Sequence, residues 1–474
     1  MSINKDILKL AIPSILANIT VPIVGMVDIA VAGHLTGEVA TMIGGIAIGT
    51  MLFDLLYWNF AFLRVGTGGL TAQAYGRKDL KECSGILARA LGISFICALA
   101  LIAIQWVFVK AAFLVVDCTP EVRDLASRYF FIRIWAAPAT LSLMAFKGWF
   151  IGMQDSVSPM TTDFVVNGMN ILMSIVLALG ISAGTGSQSW LLRPLGFTGI
   201  AWGTVVAQYS GLLTAVLLLL FKYSGRVFSD FKASELRGLF TGTETRRFFV
   251  MNSDLFVRSL CFIAIYIGFT TISASFGDLL LAVSSIMMKL LMIFSYFTDG
   301  FAYAGEALTG RYIGAKDAQM VRQTIKWTFV WSMGIALIFM GIYHFAGVPV
   351  LRMMTSDVAV VEQSKEYLPW LLLMPVIGCA AFTWDGIYIG ATASKQIRNA
   401  MLWAVVAFVI VWILGMYGLD ILIPRPDMTG ESAMASPHDI SAMHILLAAY
   451  FAHLLARTIY LSVRYKKTVL SYWN

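Results

Sequence analysis

Twelve apolar runs divide this chain, each long enough to cross a bilayer core, which takes about 20 helical residues. They lie near 7–33, 41–66, 84–116, 127–152, 160–182, 196–222, 247–275, 280–308, 323–350, 365–391, 398–423 and 441–463. Backbone amides and carbonyls in hydrocarbon must pair within their own segment, so runs of this length read as helices. Only 13% of the 474 residues are charged, against about 25% in a soluble domain. The fold class is an all-α polytopic membrane protein with no room for a sizeable soluble domain. The first run contains Pro13, Pro22 and Asp28, is too long for the apolar core of a secretory leader, and reads as the first membrane helix.

A net charge of +7 and a pI near 9.1 would suit a nucleic-acid partner in a soluble protein. Here the basic residues sort into alternate loops instead. With the N-terminus inside, the inner segments hold Lys5, Lys9, Arg77, Lys78, Lys81, Arg246, Arg247, Arg311, Lys316, Arg322, Lys326, Arg464, Lys466 and Lys467 among others. The outer segments hold Arg123, Arg128, Arg193, Arg352 and Arg425, with Lys110 and Lys365 near that side. That asymmetry orients a membrane protein and places both termini in the cytoplasm. The lipid bilayer is the expected partner and nucleic acid is not.

The chain repeats itself. A shift of 238 residues superimposes Leu70-Thr71 on Leu308-Thr309, Gly76 on Gly314, Lys78-Asp79 on Lys316-Asp317, Tyr129 on Tyr367, Gly148 on Gly386 and Ile151-Gly152 on Ile389-Gly390. Six spans separate the copies, so both halves run in the same direction. Parallel repeats imply two six-helix lobes related by a pseudo-two-fold axis along the membrane normal, a transporter architecture. The expected division is an N-terminal lobe over 1–222, a cytoplasmic linker over 223–246 and a C-terminal lobe over 247–474. Phe228, Phe231, Leu236 and Leu239 interleave with charges in the linker, which reads as a lipid-surface helix or a plain connection. Pro424–Asp439, with Pro426, Gly430 and Pro437, reads as an outer loop.

No nucleophile elbow, phosphate-binding loop or zinc motif stands in usable context, and five scattered cysteines form no disulfide framework or metal site. Gly66-Thr67-Gly68-Gly69 lacks the Lys-Ser/Thr of a P-loop and suits close helix packing. Drive from an ion gradient is expected, with H⁺ or Na⁺ as the coupling ion and no bound cofactor.

Ionisable residues inside the spans carry the chemistry, because a charge at the bilayer centre costs about 2.5–3.5 kcal/mol on insertion scales. Asp28 is either a helix-end residue or an ion-coupling carboxylate; its depth in the first run favours the second reading. Asn167, Asn170 and Ser174 form a polar stripe at three- and four-residue spacing, which serves helix packing or holds a cation beside Asp28. Asp163 near the start of that span suits a helix N-terminus. In the second half the candidate polar site comprises Asp254, Arg258, Asp299, Glu306 and Asp385. Asp254 and Arg258, one turn apart, are placed to neutralise each other. Asp299 and Glu306 share a face, and Asp385 occupies the repeat position that Lys147 holds in the first half. The 24 methionines and 13% aromatic residues suit an adaptable cavity for apolar cations.

VDIAVAGHL (Val27–Leu35), FLRVGTGGLTAQAYGRKD (Phe62–Asp79), DGFAYAGEALTGRYIGAKD (Asp299–Asp317) and WDGIYIGAT (Trp384–Thr392) resemble the multidrug and toxic compound extrusion (MATE) family, specifically its DinF-like branch. The resemblance implies twelve helices in two lobes and export of a drug or metabolite against inward proton or sodium flow. It assigns the main coupling role to the first-helix carboxylate, here Asp28, with Asn170 beside it. The family's further carboxylate, four residues after that Asn, is Ser174 in this chain, so a relay that needs two carboxylates lacks one of them at this position. Asp163 is a candidate substitute at a different height, and Asp254 and Asp385 are loose counterparts of acidic residues in the seventh and tenth helices.

The leading expectation is a monomeric secondary antiporter in the inner membrane of a bacterium, exporting organic cations or other amphipathic small molecules in exchange for H⁺, less readily Na⁺. A flippase for a lipid-linked precursor is the alternative. It would need a cationic central cavity, for which Arg64, Arg133 and Lys147 are available. An enzyme is not expected.

Overall fold

The computed structural model describes residues 3–35, 39–114, 116, 118–182, 190–227, 243–355, 357–423 and 436–471. Contacts group the chain into two compact units, Ile12–Val250 and Met251–Asn474, the latter taking in Met1–Ala11. The first contains most of α1 (Ile3–Gly33), then α2 (Val39–Trp58), α3 (Phe62–Gly76), α4 (Leu80–Ala112), α5 (Pro120–Arg133), α6 (Ala137–Gly152), α7 (Val157–Leu179) and α8 (Phe197–Val227). The second contains α9 (Thr243–Ala274, from Met251), α10 (Asp278–Gly314), α11 (Ala318–Met354), α12 (Val358–Glu366), α13 (Leu368–Gly390), α14 (Ser394–Leu422) and α15 (Pro437–Thr468). Among the described residues twelve segments are long and apolar enough to cross a membrane, with α2–α3 and α5–α6 each counting as one.

Three of the spans are interrupted along their length. Between α2 and α3 the Asn59 amide donates back to the Leu55 carbonyl at 2.7 Å, while the main chain tightens to Phe60 N–Tyr57 O and Leu63 N–Phe60 O bonds. An Asn that competes for the backbone in this way interrupts a helix. The fourth span starts earlier than its apolar run, at Pro120, because Thr119 caps it and Pro120 fits the first turn. A 3₁₀ turn at Ile134–Ala136 then joins α5 to α6. In α11, Ala346 leaves helical geometry (φ −122°, ψ 17°) just ahead of Pro349.

Pro437–Asp439 is the first turn of α15, not the end of a loop. Ser436 caps it, its hydroxyl accepting from the Asp439 amide at 3.1 Å. Residues 424–435 and the linker positions Phe228, Phe231, Leu236 and Leu239 lie outside the described residues. A two-stranded antiparallel hairpin, Ile181–Ser182 with Trp190–Leu192, follows α7.

The repeat is a repeat of contacts. A Cβ on Gly148 would lie 2.1 Å from the Arg64 carbonyl oxygen, and one on Gly386 2.2 Å from that of Ala302. One turn on, Gly152 would meet the Gly68 oxygen at 2.7 Å and Gly390 the Glu306 oxygen at 2.3 Å. Each pair obeys the same 238-residue shift, so α6 lies on α3 as α13 lies on α10. The turn after α3 repeats as well. Lys78 (φ 61°) and Lys316 (φ 58°) occupy the left-handed region, and Asp79 and Asp317 then cap the next helix. Gln154 (φ 64°) and Thr392 (φ 52°) complete the set of described non-glycine residues with positive φ.

Candidate functional site

Between Ile19 and Ala30, α1 buries one residue, Asp28, at 6% exposure. Around it Ile23, Met26 and Ile29 are exposed, and a Cβ on Gly25 would meet nothing within 4 Å. Pro22 removes one backbone bond from the same stretch. A helix stretch exposed on all sides but for one buried carboxylate is what the sequence arranges here.

The Ser174 hydroxyl of α7 donates to Asp28 Oδ1 at 3.0 Å. Gly203 of α8 makes room for it, since a Cβ there would lie 2.6 Å from the Ser174 amide and 2.8 Å from its hydroxyl. Gly199, Gly203, Ala207 and Gly211 form a four-residue ladder along α8, the small-residue spacing that lets membrane helices touch. One turn before Ser174, Asn170 donates its amide to Thr204 Oγ1 at 3.0 Å; its Oδ1 is buried without a hydrogen-bond partner among the described residues. Asn167 donates to the Thr20 hydroxyl of α1. The stripe therefore ties α7 to α1 at two heights and to α8 at one.

Asp163 does not act at the helix N-terminus. It is the seventh residue of α7, beyond the first turn where a helix dipole is felt, and pairs with Lys147 of α6 at 2.8 Å. Above α2, the Arg133 guanidinium stacks on the Phe53 ring at 4.7 Å and donates to the Tyr129 hydroxyl at 3.3 Å.

In the second unit, Asp254 and Arg258 do not neutralise each other. Their one-turn spacing permits it, but each finds a partner on another helix. Asp254 accepts from Arg398 at 2.6 Å and Ser394 at 2.8 Å, both on α14. Arg258 donates to Asp385 at 2.7 Å, and the same oxygen accepts from Arg457 of α15 at 2.5 Å. Asp385 thus joins α9, α13 and α15, and Glu306 on α10 is fully buried. Arg457 escaped the sequence reading, although a lone arginine inside the last apolar run is signal enough. His453, one turn before it, is also buried, and its Nδ1 bonds the Tyr450 carbonyl.

A second overlooked residue, the carboxylate Asp155, lies in the turn between α6 and α7. Its Oδ2 accepts from Lys222 at 2.6 Å, from the Ser158 hydroxyl at 2.6 Å and from the Tyr223 hydroxyl at 2.7 Å, while Oδ1 takes the Ser158 amide at 3.1 Å. Burial opposes ionisation of Asp155, but these donors outweigh it and hold the carboxyl below its ordinary pKa of 3.8. A depressed folded-state pKa contributes stability above the ordinary value and loses it as pH falls through the folded one. In thermal unfolding of the purified protein, Asp155→Asn is expected to lower the midpoint at neutral pH. The gap to the unsubstituted protein should close only below pH 3.8. A gap independent of pH would contradict this.

The MatE family model matches residues 13–176 and 255–417. DNA damage-inducible protein F of Escherichia coli (strain K12) is 32% identical over 409 residues, covering 86% of this chain and 85% of that protein. A probable multidrug resistance protein NorM of Photorhabdus laumondii is 24% identical over 421 residues, covering 87% and 86%. Among solved structures, an outward-facing multidrug resistance MATE family transporter superimposes with a TM-score of 0.80 at 14% identity, covering 100% of this chain and 97% of the other. A eukaryotic MATE transporter does so with a TM-score of 0.79 at 15% identity, covering 99% and 98%. Those likenesses establish the twelve-helix fold; the family model and the sequence match establish descent. The chain belongs to the MATE family, on its DinF-like branch, and is an integral membrane efflux transporter rather than an enzyme.

Proposed function

We propose that this transporter is a proton-coupled antiporter that exports organic cations or other amphipathic small molecules, with Asp28 as the coupling carboxylate. The observation that carries the reading is the bond between Asp28 and Ser174 on an otherwise exposed stretch of α1. A hydroxyl donates to a carboxylate and accepts from a carboxylic acid, so Ser174 can serve both protonation states of Asp28 without changing its own. Protonation removes the charge that holds Asp28 inward, and α1, weakened at Pro22, has few contacts of its own there to resist a shift. Two protonation states that favour two packings of α1 are the minimum a coupled exchange needs. Proton entry supplies about 2.3 kcal/mol per charge per 100 mV.

Sodium fits less well. It needs several oxygen ligands converging on one point, and the hydrogen bond to Asp28 among the described residues comes from the Ser174 hydroxyl alone. The flippase alternative needs unneutralised cations, and Lys147 is paired with Asp163. The proposed setting is the inner membrane of a bacterium, with a monomeric chain and both termini in the cytoplasm, as the distribution of Lys and Arg suggests.

The test is efflux of a fluorescent organic cation from proteoliposomes under an imposed pH gradient, with and without sodium. Efflux should follow the pH gradient, ignore sodium and fall about tenfold or more in Asp28→Asn. Ser174→Ala should lose less, since water can take the place of one hydroxyl. Unchanged efflux in Asp28→Asn would sink the coupling role, and efflux driven by a sodium gradient alone would replace the proton.

A further inference from the structure

A groove of about 770 Å³ opens on the second unit between α11, α13 and α15. Ligand pockets span about 300–1,000 Å³, so it holds a sizeable guest. Its deep part is apolar and aromatic, lined by Ile325, Phe329, Ala380 and Trp384. At its mouth stand Arg322, Lys326 and Lys466, and none of its lining residues is acidic.

These three cations differ from those inside the protein. Lys147, Arg258, Arg398 and Arg457 each sit against a carboxylate. Arg322 and Lys466 are exposed and have no ion pair among the described residues, and Lys326 has only the Trp327 ring, 5.6 Å from its Nζ. Sorting of basic residues to one side of the membrane accounts for their sign. It does not account for their convergence on one cavity.

The wall is already in place. Trp384 packs edge-on against Phe329 at 4.8 Å, lies 5.3 Å from the Tyr465 ring, and donates its indole N–H to the Ser462 hydroxyl at 2.8 Å. Arg322 is the fifth residue of α11 and Lys466 the third from the end of α15, so both lie at the end of the bundle where water meets hydrocarbon. Phe329 is seven residues further along α11, about 10 Å deeper at 1.5 Å per residue. The groove therefore offers positive charge at headgroup depth and aromatic surface at chain depth, the profile of an anionic amphiphile. A free inorganic anion would have no use for the lower half.

We propose that this groove is a binding site for one anionic phospholipid of the surrounding leaflet. Its phosphate sits on Arg322, Lys326 and Lys466, and one acyl chain runs along Ile325, Phe329 and Trp384. Bound there, the lipid bridges α11, α13 and α15.

The full-length protein in detergent is titrated with phosphatidylglycerol brominated along its acyl chains, with equally brominated phosphatidylcholine, and with inorganic phosphate as competitor; tryptophan fluorescence is read. Phosphatidylglycerol should quench with a saturable component that Trp384→Phe abolishes. Arg322→Gln combined with Lys466→Gln should raise its half-saturation about tenfold or more, since each basic side chain near an anionic surface adds a comparable increment. The swap Arg322→Lys with Lys466→Arg should retain it, which separates loss of charge from loss of fold. Equal half-saturation for phosphatidylcholine would overturn the proposal. So would an unchanged titration in the double Gln variant, a saturable component that survives Trp384→Phe, or displacement of the lipid by millimolar phosphate.

Discussion

Replacing Asp385 by alanine is expected to cost the second unit about 3–5 kcal/mol, because it strands buried guanidinium charge in the membrane. Arg457 is 2% exposed and Arg258 22%, and both donate to the same carboxylate oxygen. Removing the shared acceptor leaves two like charges facing each other, one of them, Arg457, buried from water, which is worse than losing either pair alone. In a thermal unfolding scan the midpoint should fall by about 6 °C or more. Adding Arg457→Met to Asp385→Ala should restore part of that loss, since an apolar residue of similar length tolerates burial where an unpaired arginine does not. A double variant no better than the single one would show that the carboxylate acts through something other than its two arginines.

Gly386→Ala is expected to do comparable damage with one methyl group. Its Cβ would sit 2.2 Å from the Ala302 carbonyl oxygen, a backbone atom that no rotamer change can move. The two helices must separate to admit it, and the Gly390 contact one turn away goes with it. Overpacking a core typically costs 1–3 kcal/mol, about the lower bound where backbone rather than side chain must give way. Gly148→Ala should fail in the same way against Arg64. Gly418→Ala, with nothing within 4 Å of its Cβ, should be neutral or gain up to about 1 kcal/mol of helix propensity. Yield of monodisperse protein on size exclusion separates the three. Equal yields would mean that the close approach is not required.

How much of this was legible beforehand depended on how local each determinant is. The twelve spans stood out because hydrocarbon demands length and apolarity from each segment separately. The break at Asn59 did not, since it depends on a side chain turning back to the Leu55 carbonyl. The repeat was visible as matched residues, and Gly148 with Gly386 proved to be matched in contact as well. The stripe Asn167, Asn170 and Ser174 was visible from its spacing, but not that Thr20, Thr204 and Asp28 would answer it, for those lie 34 to 147 residues away. Asp254 and Arg258 were mispaired for the converse reason. Helical spacing identifies the near neighbour, while the partners that prevailed, Arg398 and Asp385, are 144 and 127 residues distant.

The opposite signs of Lys147 and Asp385 at one repeat position bear on how such a duplicated chain can drift. Each is answered inside its own half, Lys147 by Asp163 and Asp385 by Arg258 and Arg457. Copying the single residue from the first half into the second would set a lysine against two arginines. Recombination between the halves can therefore exchange these positions only as complete sets, answering charges included. Each half can change its charge at this position without altering the other, provided its own answering residues change with it.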